Sequence, residues 1–180
     1  PQHGKPSAWF VDEYLNGKFG MAKSLGSKVP SLFYALDRFE AAPRICTALK
    51  AGKTIIANRY TLSNAAHQGG KITSAKERQK YWQWLFDLEY NLLQLPKPNV
   101  TIILHVSPKV SQQLVDKKQA RGYIKGKKRD LHEADLHHLQ AAERAYLELS
   151  SKYRFKVVEC VKNEHLLTKA DIHNKILKII

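Results

Sequence analysis

The sequence offers three places where side chains could handle a phosphorylated ligand. The first is Asn58-Arg59-Tyr60. It closes Lys53-Thr54-Ile55-Ile56-Ala57-Asn58, a nearly all-apolar run that reads as a short strand covered on both faces. Ligands of open α/β sheets bind beyond the carboxyl ends of such strands, so Arg59 is placed to aim a planar, permanently charged fork at a phosphate. Position alone gives equal weight to a surface arginine in an ion pair. Just after it, Ser63-Asn64-Ala65-Ala66-His67-Gln68-Gly69-Gly70 supplies hydroxyl, amide and imidazole groups on a segment expected to be a flexible polar loop, suited to reading the edge of a base.

The second place is Tyr34 and Arg38, one helical turn apart on the same face. The ring could stack on a base while the guanidinium holds a phosphate. On spacing alone, an aromatic in the core and an arginine reaching solvent weigh more. The third is Arg121-Gly122-Tyr123-Ile124-Lys125-Gly126-Lys127-Lys128-Arg129, with five cations and two glycines in nine residues. It suits a lid over a nucleotide or a nucleic-acid contact, although a charge run is by default a solvated loop.

Other features exclude chemistry. His132-Glu133 resembles the start of a zinc-protease helix, but the residue four after His132 is Leu136. His137 falls about 140° round the helix at ~100° per residue, so no ligand pair forms. No Gly-x-x-x-x-Gly-Lys-Ser/Thr phosphate loop occurs in the sequence. Cys46 and Cys160 fit neither a disulfide framework nor a zinc knuckle, and are expected as buried thiols in a reducing cytoplasm. Lys and Arg outnumber Asp and Glu by 30 to 16, giving +14. Such a balance implies a polyanionic partner: nucleic acid, a phosphorylated small molecule or anionic lipid. No apolar run approaches ~18 residues, so no membrane-spanning helix is expected. The first residues lack the layout of a signal peptide. The chain opens on Pro1 and its one methionine is Met21, which reads as a piece of a longer reading frame.

Alternating helices and strands must position these groups. Ser7 is expected to cap a helix from Ala8 to about Asn16. A glycine-punctuated loop follows from Gly17 to Val29, and Pro30 opens a helix that Pro43 is expected to kink or split. Ser74 with Glu77 forms a capping box before a long amphipathic helix through Tyr81, Trp82, Leu85, Leu88 and Leu92. Val100 to Val106 and Phe155 to Val161 read as further strands. Helices are expected after Ser107-Pro108, over Glu133 to Ser150, and after Thr168. This alternation, with no linker and no repeat, predicts one α/β domain over residues 1–180 built on a parallel sheet.

Together these stretches resemble the thymidylate kinases, P-loop phosphotransferases that make dTDP from dTMP and ATP. The resemblance covers nearly the whole chain. It starts at Gly4-Lys5-Pro6-Ser7-Ala8-Trp9-Phe10 and Tyr14-Leu15-Asn16-Gly17, and continues through Leu32-Phe33-Tyr34-Ala35-Leu36-Asp37-Arg38-Phe39. Its most specific part is Asn58-Arg59-Tyr60-x-x-Ser63-x-x-Ala66-His67-Gln68-Gly69. Pro96-Lys97-Pro98-Asn99, Arg121-Gly122 and Asp130-x-x-Glu133 follow in order. The resemblance implies a P-loop kinase-like parallel sheet flanked by helices, with a lid at about 120–132. It implies that Arg38 and Arg59 hold the dTMP phosphate, that Tyr34 stacks on thymine, and that Gln68 and Ser63 read the base. In the lid, Arg121 and Arg129 would neutralise the transferring phosphoryl group, and Glu133 would lie near the acceptor nucleotide. ATP as donor, Mg²⁺, a homodimer and a cytoplasmic location complete what it implies. A loose transition state of this kind needs positioning and positive charge more than a base.

The sequence departs from the family pattern at several positions. Asn58 stands where the signature has aspartate, so its link to magnesium is at most weak and indirect. His67 replaces an aromatic, and Leu131 an arginine of the basic lid. The first strand, the P-loop with its helix, and the second strand are not in the sequence. The chain is therefore expected to be an N-terminally incomplete member, inactive alone. In a family sheet ordered 2-3-1-4-5, Thr101–Val106 and Lys156–Cys160 should pair in parallel while Thr54–Asn58 stands apart. The alternatives are a related phosphotransferase with another nucleotide acceptor, or a basic nucleic-acid-binding module. The module would interleave cations with stacking aromatics. Instead Trp82, Trp84, Phe86 and Tyr90 share a helix with few cations, better explained as core and dimer face, which makes a nucleic-acid partner the poorer expectation.

Overall fold

The computed structural model describes residues 1–20, 24–116 and 136–180. A 3-10 turn, Pro6–Ala8, leads into α1 (Trp9–Leu15), followed by α2 (Lys28–Lys50), α3 (Thr61–Gly69) and α4 (Ala75–Asp87). Helix α4 runs on into a π-helical turn, Leu88–Leu92. Then come β1 (Ile102–His105), α5 (Pro108–Asp116), α6 (Leu136–Tyr153), β2 (Lys156–Glu159), the short pair β3 (Val161–Lys162) and β4 (His165–Leu166), and α7 (Lys169–Leu177). β1 and β2 pair in parallel, Ile102 opposite Lys156 and His105 opposite Glu159, while β3 and β4 are antiparallel. This is the α/β architecture with parallel pairing that the alternation of elements predicts.

The main core forms where α3 is pressed between α4 and α6. Ala65 and Ala66 are fully buried on α3, and their small side chains let Trp82, Leu85 and Leu149 close over them. The indole Nε1 of Trp82 donates to the Ala65 carbonyl at 3.0 Å, which satisfies the one polar atom of that buried ring. Arg78 bridges α4 to Glu148 of α6 at 2.7 Å. A second cluster of Val11, Tyr14 and Leu15 packs against Phe33 and Tyr34 of α2. Helix α3 is therefore held firmly on two sides.

Several local expectations are corrected. Thr54–Asn58 stands apart from the parallel pair as expected, but without a ladder of its own it is not a strand. No ladder joins it to a described strand, β1 takes β2 as its partner, and Ile56 is 93 % exposed. A strand exists only through pairing, and an apolar run cannot form one by composition alone. Ser63–Gly69 is not a polar loop but the body of α3, its amides and hydroxyls largely buried. Ser7 does not cap α1, because its hydroxyl donates to Asp37 at 3.3 Å. Pro43 does not split α2, which runs unbroken to Lys50. Of the two thiols, Cys160 is buried and Cys46 only half-buried. The caps at Ser74 and Thr168 are present, each accepting the backbone N–H three residues on.

Candidate nucleotide site

Helix α3 carries the polar groups, and its start is set by Arg59. That residue has φ 68°, a left-handed backbone that costs a non-glycine residue roughly 1–3 kcal/mol and persists only where surroundings support it. Here Arg59 Nε donates to Ser63 Oγ at 2.6 Å, one turn into α3. The Tyr146 hydroxyl donates to the same oxygen at 3.0 Å. Both lone pairs of Ser63 are thereby used, so it braces Arg59 and retains only its O–H to offer elsewhere.

One turn apart on α3, Asn64 and Gln68 form the polar floor. Gln68 is fully buried, and neither its Oε1 nor its Nε2 has a partner among the described residues. The Asn64 Oδ1 is likewise buried and unpartnered among them, while its Nδ2 donates to the Ser31 carbonyl at 3.1 Å. Buried polar atoms are nearly always paired, so three open ones on one helix face point to a ligand that completes them. The backbone end of this floor is fixed by Ser27, whose hydroxyl donates to the Gln68 carbonyl at 2.7 Å. Lys71 adds a strap, donating to the Tyr14 hydroxyl at 2.8 Å and the Gly26 carbonyl at 3.4 Å. Burial lowers its pKa to about 8.

Arg38 reaches this floor from α2. Its Nε donates to Glu89 Oε2 at 2.7 Å, and its Nη2 pairs with Glu89 Oε1. Its guanidinium carbon lies 5.9 Å from the Tyr60 ring centre. Tyr60 itself donates to the Pro96 carbonyl at 3.1 Å, and burial raises its phenol pKa to about 12. Burial lowers the pKa of the Pro1 ammonium, Asp37 opposes that shift, and the charges of Arg59 and Arg38 add to it. Tyr34 is half-buried, edge-on to Tyr14 with ring centres 6.5 Å apart, and so is tied into the second cluster. His67 stacks on His138 of α6, with ring centres 5.5 Å apart.

The structure thus gathers Arg38, Ser63 and Gln68 around α3 and puts Arg59 at its mouth. Arg121, Arg129 and Glu133 of the expected lid lie outside the described residues. Sequence reasoning missed Glu89, Tyr146 and the role of Asn64. The signal for Glu89 was present: it falls four residues after Leu85 and seven after Trp82, a carboxylate on the apolar face of an amphipathic helix.

Mg²⁺ is normally held by one or two carboxylates together with substrate phosphates. Asn58 offers only an amide oxygen on an exposed segment, and the Glu89 carboxylate is already engaged. The described residues contain no group of three His, Cys, Asp or Glu able to hold a metal. These residues do not fit a metal centre of the protein's own, and the expected contribution of Asn58 gains no support.

The family model for thymidylate kinase matches residues 1–172. The chain belongs to the thymidylate kinase family. Thymidylate kinases of two Mycobacterium tuberculosis strains are each 29 % identical over 156 residues, covering 84 % of this chain and 70 % of theirs. Among solved structures, a thymidylate kinase from Candida albicans superposes with a TM-score of 0.67 at 20 % identity, over 100 % of this chain and 76 % of its own. The last shows likeness of fold. Family membership makes the protein a phosphotransferase, a nucleoside monophosphate kinase that phosphorylates dTMP with ATP. No helix among the described residues is long and apolar enough to cross a membrane.

Proposed function

We propose that dTMP lies along α3 with its base over Asn64 and Gln68 and its phosphate between Arg38 and Arg59. The unpartnered Gln68 amide is the observation that carries this reading. A pyrimidine-dione edge presents one ring N–H donor between two carbonyl acceptors. The open Asn64 Oδ1 and Gln68 Oε1 can accept, and Gln68 Nε2 can donate. Arg38 and Arg59 are permanent cations with N–H groups left over after Glu89 and Ser63 are served, which suits them to a phosphate. Phosphoryl transfer through a loose transition state asks little more of the acceptor side than fixed geometry and positive charge. Tyr34 flanks the base, and Arg121 and Arg129 neutralise the transferring group, with Glu133 beside the acceptor. Mg²⁺ comes with the phosphates of ATP rather than from a ligand set on these residues.

The two free thiols suit a reducing cytoplasm as the place of action. We further propose a homodimer. Val29, Leu32, Leu36 and Phe39 recur on α2 at heptad spacing and are 39–50 % exposed, a single self-complementary apolar stripe. A monomeric mass by sedimentation would sink that part.

The site reading is tested with Gln68→Met, which removes both open polar atoms at nearly constant volume. Leaving such atoms buried costs about 1–3 kcal/mol, so the free protein should melt no lower. Calorimetric dTMP affinity should drop about tenfold, since 1.4 kcal/mol is a factor of ten. Unchanged affinity would remove Gln68 from the site.

A further inference from the structure

We propose that the outer face of α4 forms a second binding site, which takes a guanine nucleotide and stands apart from the acceptor floor. Trp82 and Leu85 turn the inner face of α4 into the core against α3. On the outer side, Phe86 and Tyr90 stack with ring centres 5.9 Å apart and planes 19° off parallel. Tyr153, at the end of α6, stands at 89° to Phe86 with centres 5.3 Å apart, and Phe155 backs it at 5.8 Å. Two aromatic walls thus meet at a right angle. A flat ring laid on one wall meets the other edge-on, and both contacts are favourable. The cleft between them, bounded by Gln83, Asp87, Asn91 and Lys97, has a volume of about 280 Å³. That is near the lower end of small-molecule sites, room for one nucleotide rather than a run of bases.

The polar rim selects the ligand. Lys97 Nζ lies 5.5 Å from the centre of the Tyr90 ring, and Lys152 Nζ lies 5.8 Å from that of Tyr153. Neither ammonium is in an ion pair among the described residues. Two unneutralised cations at the mouth suit a phosphate. Asp87 accepts from Asn91 Nδ2 at 2.7 Å, so the amide holds the carboxylate in place. A carboxylate only accepts, at about four positions, and Asn91 takes one. Guanine offers a ring N–H and an amino N–H side by side, which the two carboxylate oxygens can accept together. Thymine offers one N–H between two carbonyl oxygens, which a carboxylate repels. The sequence sets these aromatics on a helix with few cations. Folding supplies them, Lys97 from the turn before β1 and Lys152 from the end of α6. Stacking on aromatic rings with hydrogen bonds to the base edge is how proteins hold unpaired bases.

The test is equilibrium dialysis of dGMP, deoxyguanosine and dTMP against the full chain and two variants. One dGMP should bind per chain, and dTMP in tenfold excess should leave its affinity within twofold. Displacement by dTMP would put dGMP on the acceptor floor and overturn the proposal, as would no dGMP binding at about 1 mM. Lys97 and Asp87 are exposed, so neither substitution opens the core. Lys97→Gln should weaken dGMP at least fivefold and leave deoxyguanosine within twofold. Asp87→Asn swaps an acceptor oxygen for a donor, and should weaken dGMP and deoxyguanosine alike at least fivefold. dTMP affinity should stay within twofold in both variants. A dGMP affinity that neither substitution moves would overturn the site. Losses of dTMP equal to those of dGMP would overturn it too, because they mark damage to the fold rather than a lost contact. Should Gln68→Met leave dTMP binding unchanged, the acceptor reading falls while these outcomes for dGMP stand.

Discussion

The guanidinium of Arg59 is anchored by its Nε to Ser63 Oγ at 2.6 Å, across the left-handed corner that starts α3. Ser63 is held in turn by Tyr146 of α6, so the arginine is oriented through a helix packed behind it. That bond uses the Nε hydrogen and none of the four on the Nη atoms. A preset donor array loses less freedom when the ligand arrives, which is where positioning gains affinity.

Arg59→Ala should therefore reduce dTMP affinity by about 10–150-fold, the range expected for about 1.5–3 kcal/mol of charge-assisted hydrogen bonding. Thymidine, which lacks the phosphate, should bind within twofold of the unaltered chain. Titration calorimetry against both ligands reads the difference. Equal losses for the two would mean that Arg59 supports the fold of the corner rather than holding the phosphate.

Much of this was legible in the sequence, and the failures share a cause. Caps at Ser74 and Thr168 are local, set by a side chain and a backbone group three residues apart, and they form as expected. The runs that become β1 and β2 are also marked by short apolar stretches in the sequence. The strand expected at Thr54–Asn58 depends on a pairing partner, which local composition cannot supply. Ser63–Gly69 looks like a loop because Ser, Asn, His and Gly are weak helix formers. Tertiary burial against Trp82 and Leu149 overrides that preference. Glu89 is the sharper lesson: a charged residue on an apolar face signals a buried partner, but the sequence does not say that the partner is Arg38, 51 positions earlier.

Gly69 tests how tightly α3 is seated. A Cβ built there would lie 2.5 Å from Trp82 Nε1 and 3.3 Å from Cε2, inside a ring that is fully buried. Gly69→Ala must push the indole away, straining its bond to the Ala65 carbonyl. Overpacking costs about 1–3 kcal/mol, and disturbing a buried donor adds to it, while the helix-propensity gain is at most ~1 kcal/mol. A net loss of about 2 kcal/mol should lower Tm by roughly 4–8 °C for a domain of this size. A rise in Tm would show that α4 yields freely and that the core around α3 is looser than its packing indicates.

His105 gives the fold a pH dependence. It stands at the end of β1, its Nδ1 2.7 Å from Glu159 of β2 and its Nε2 2.9 Å from Glu143 of α6. Partial burial works to lower its pKa. The hydrogen bonds to Glu159 and Glu143, with their charges, outweigh burial and raise it above the usual 6.5. A histidine that is easier to protonate when folded stabilises the fold fully below its unfolded pKa, and that contribution fades as pH rises through the folded value. The protein should thus melt higher at pH 6 than at pH 8, with the loss beginning near 6.5. His105→Gln retains one hydrogen bond but cannot titrate, so its Tm should lie below that of the unaltered chain at pH 6 and converge on it by pH 8. Thermal melts of both proteins across that interval read the effect. A constant gap between the two curves would show that His105 contributes by packing alone and that neither glutamate senses its charge.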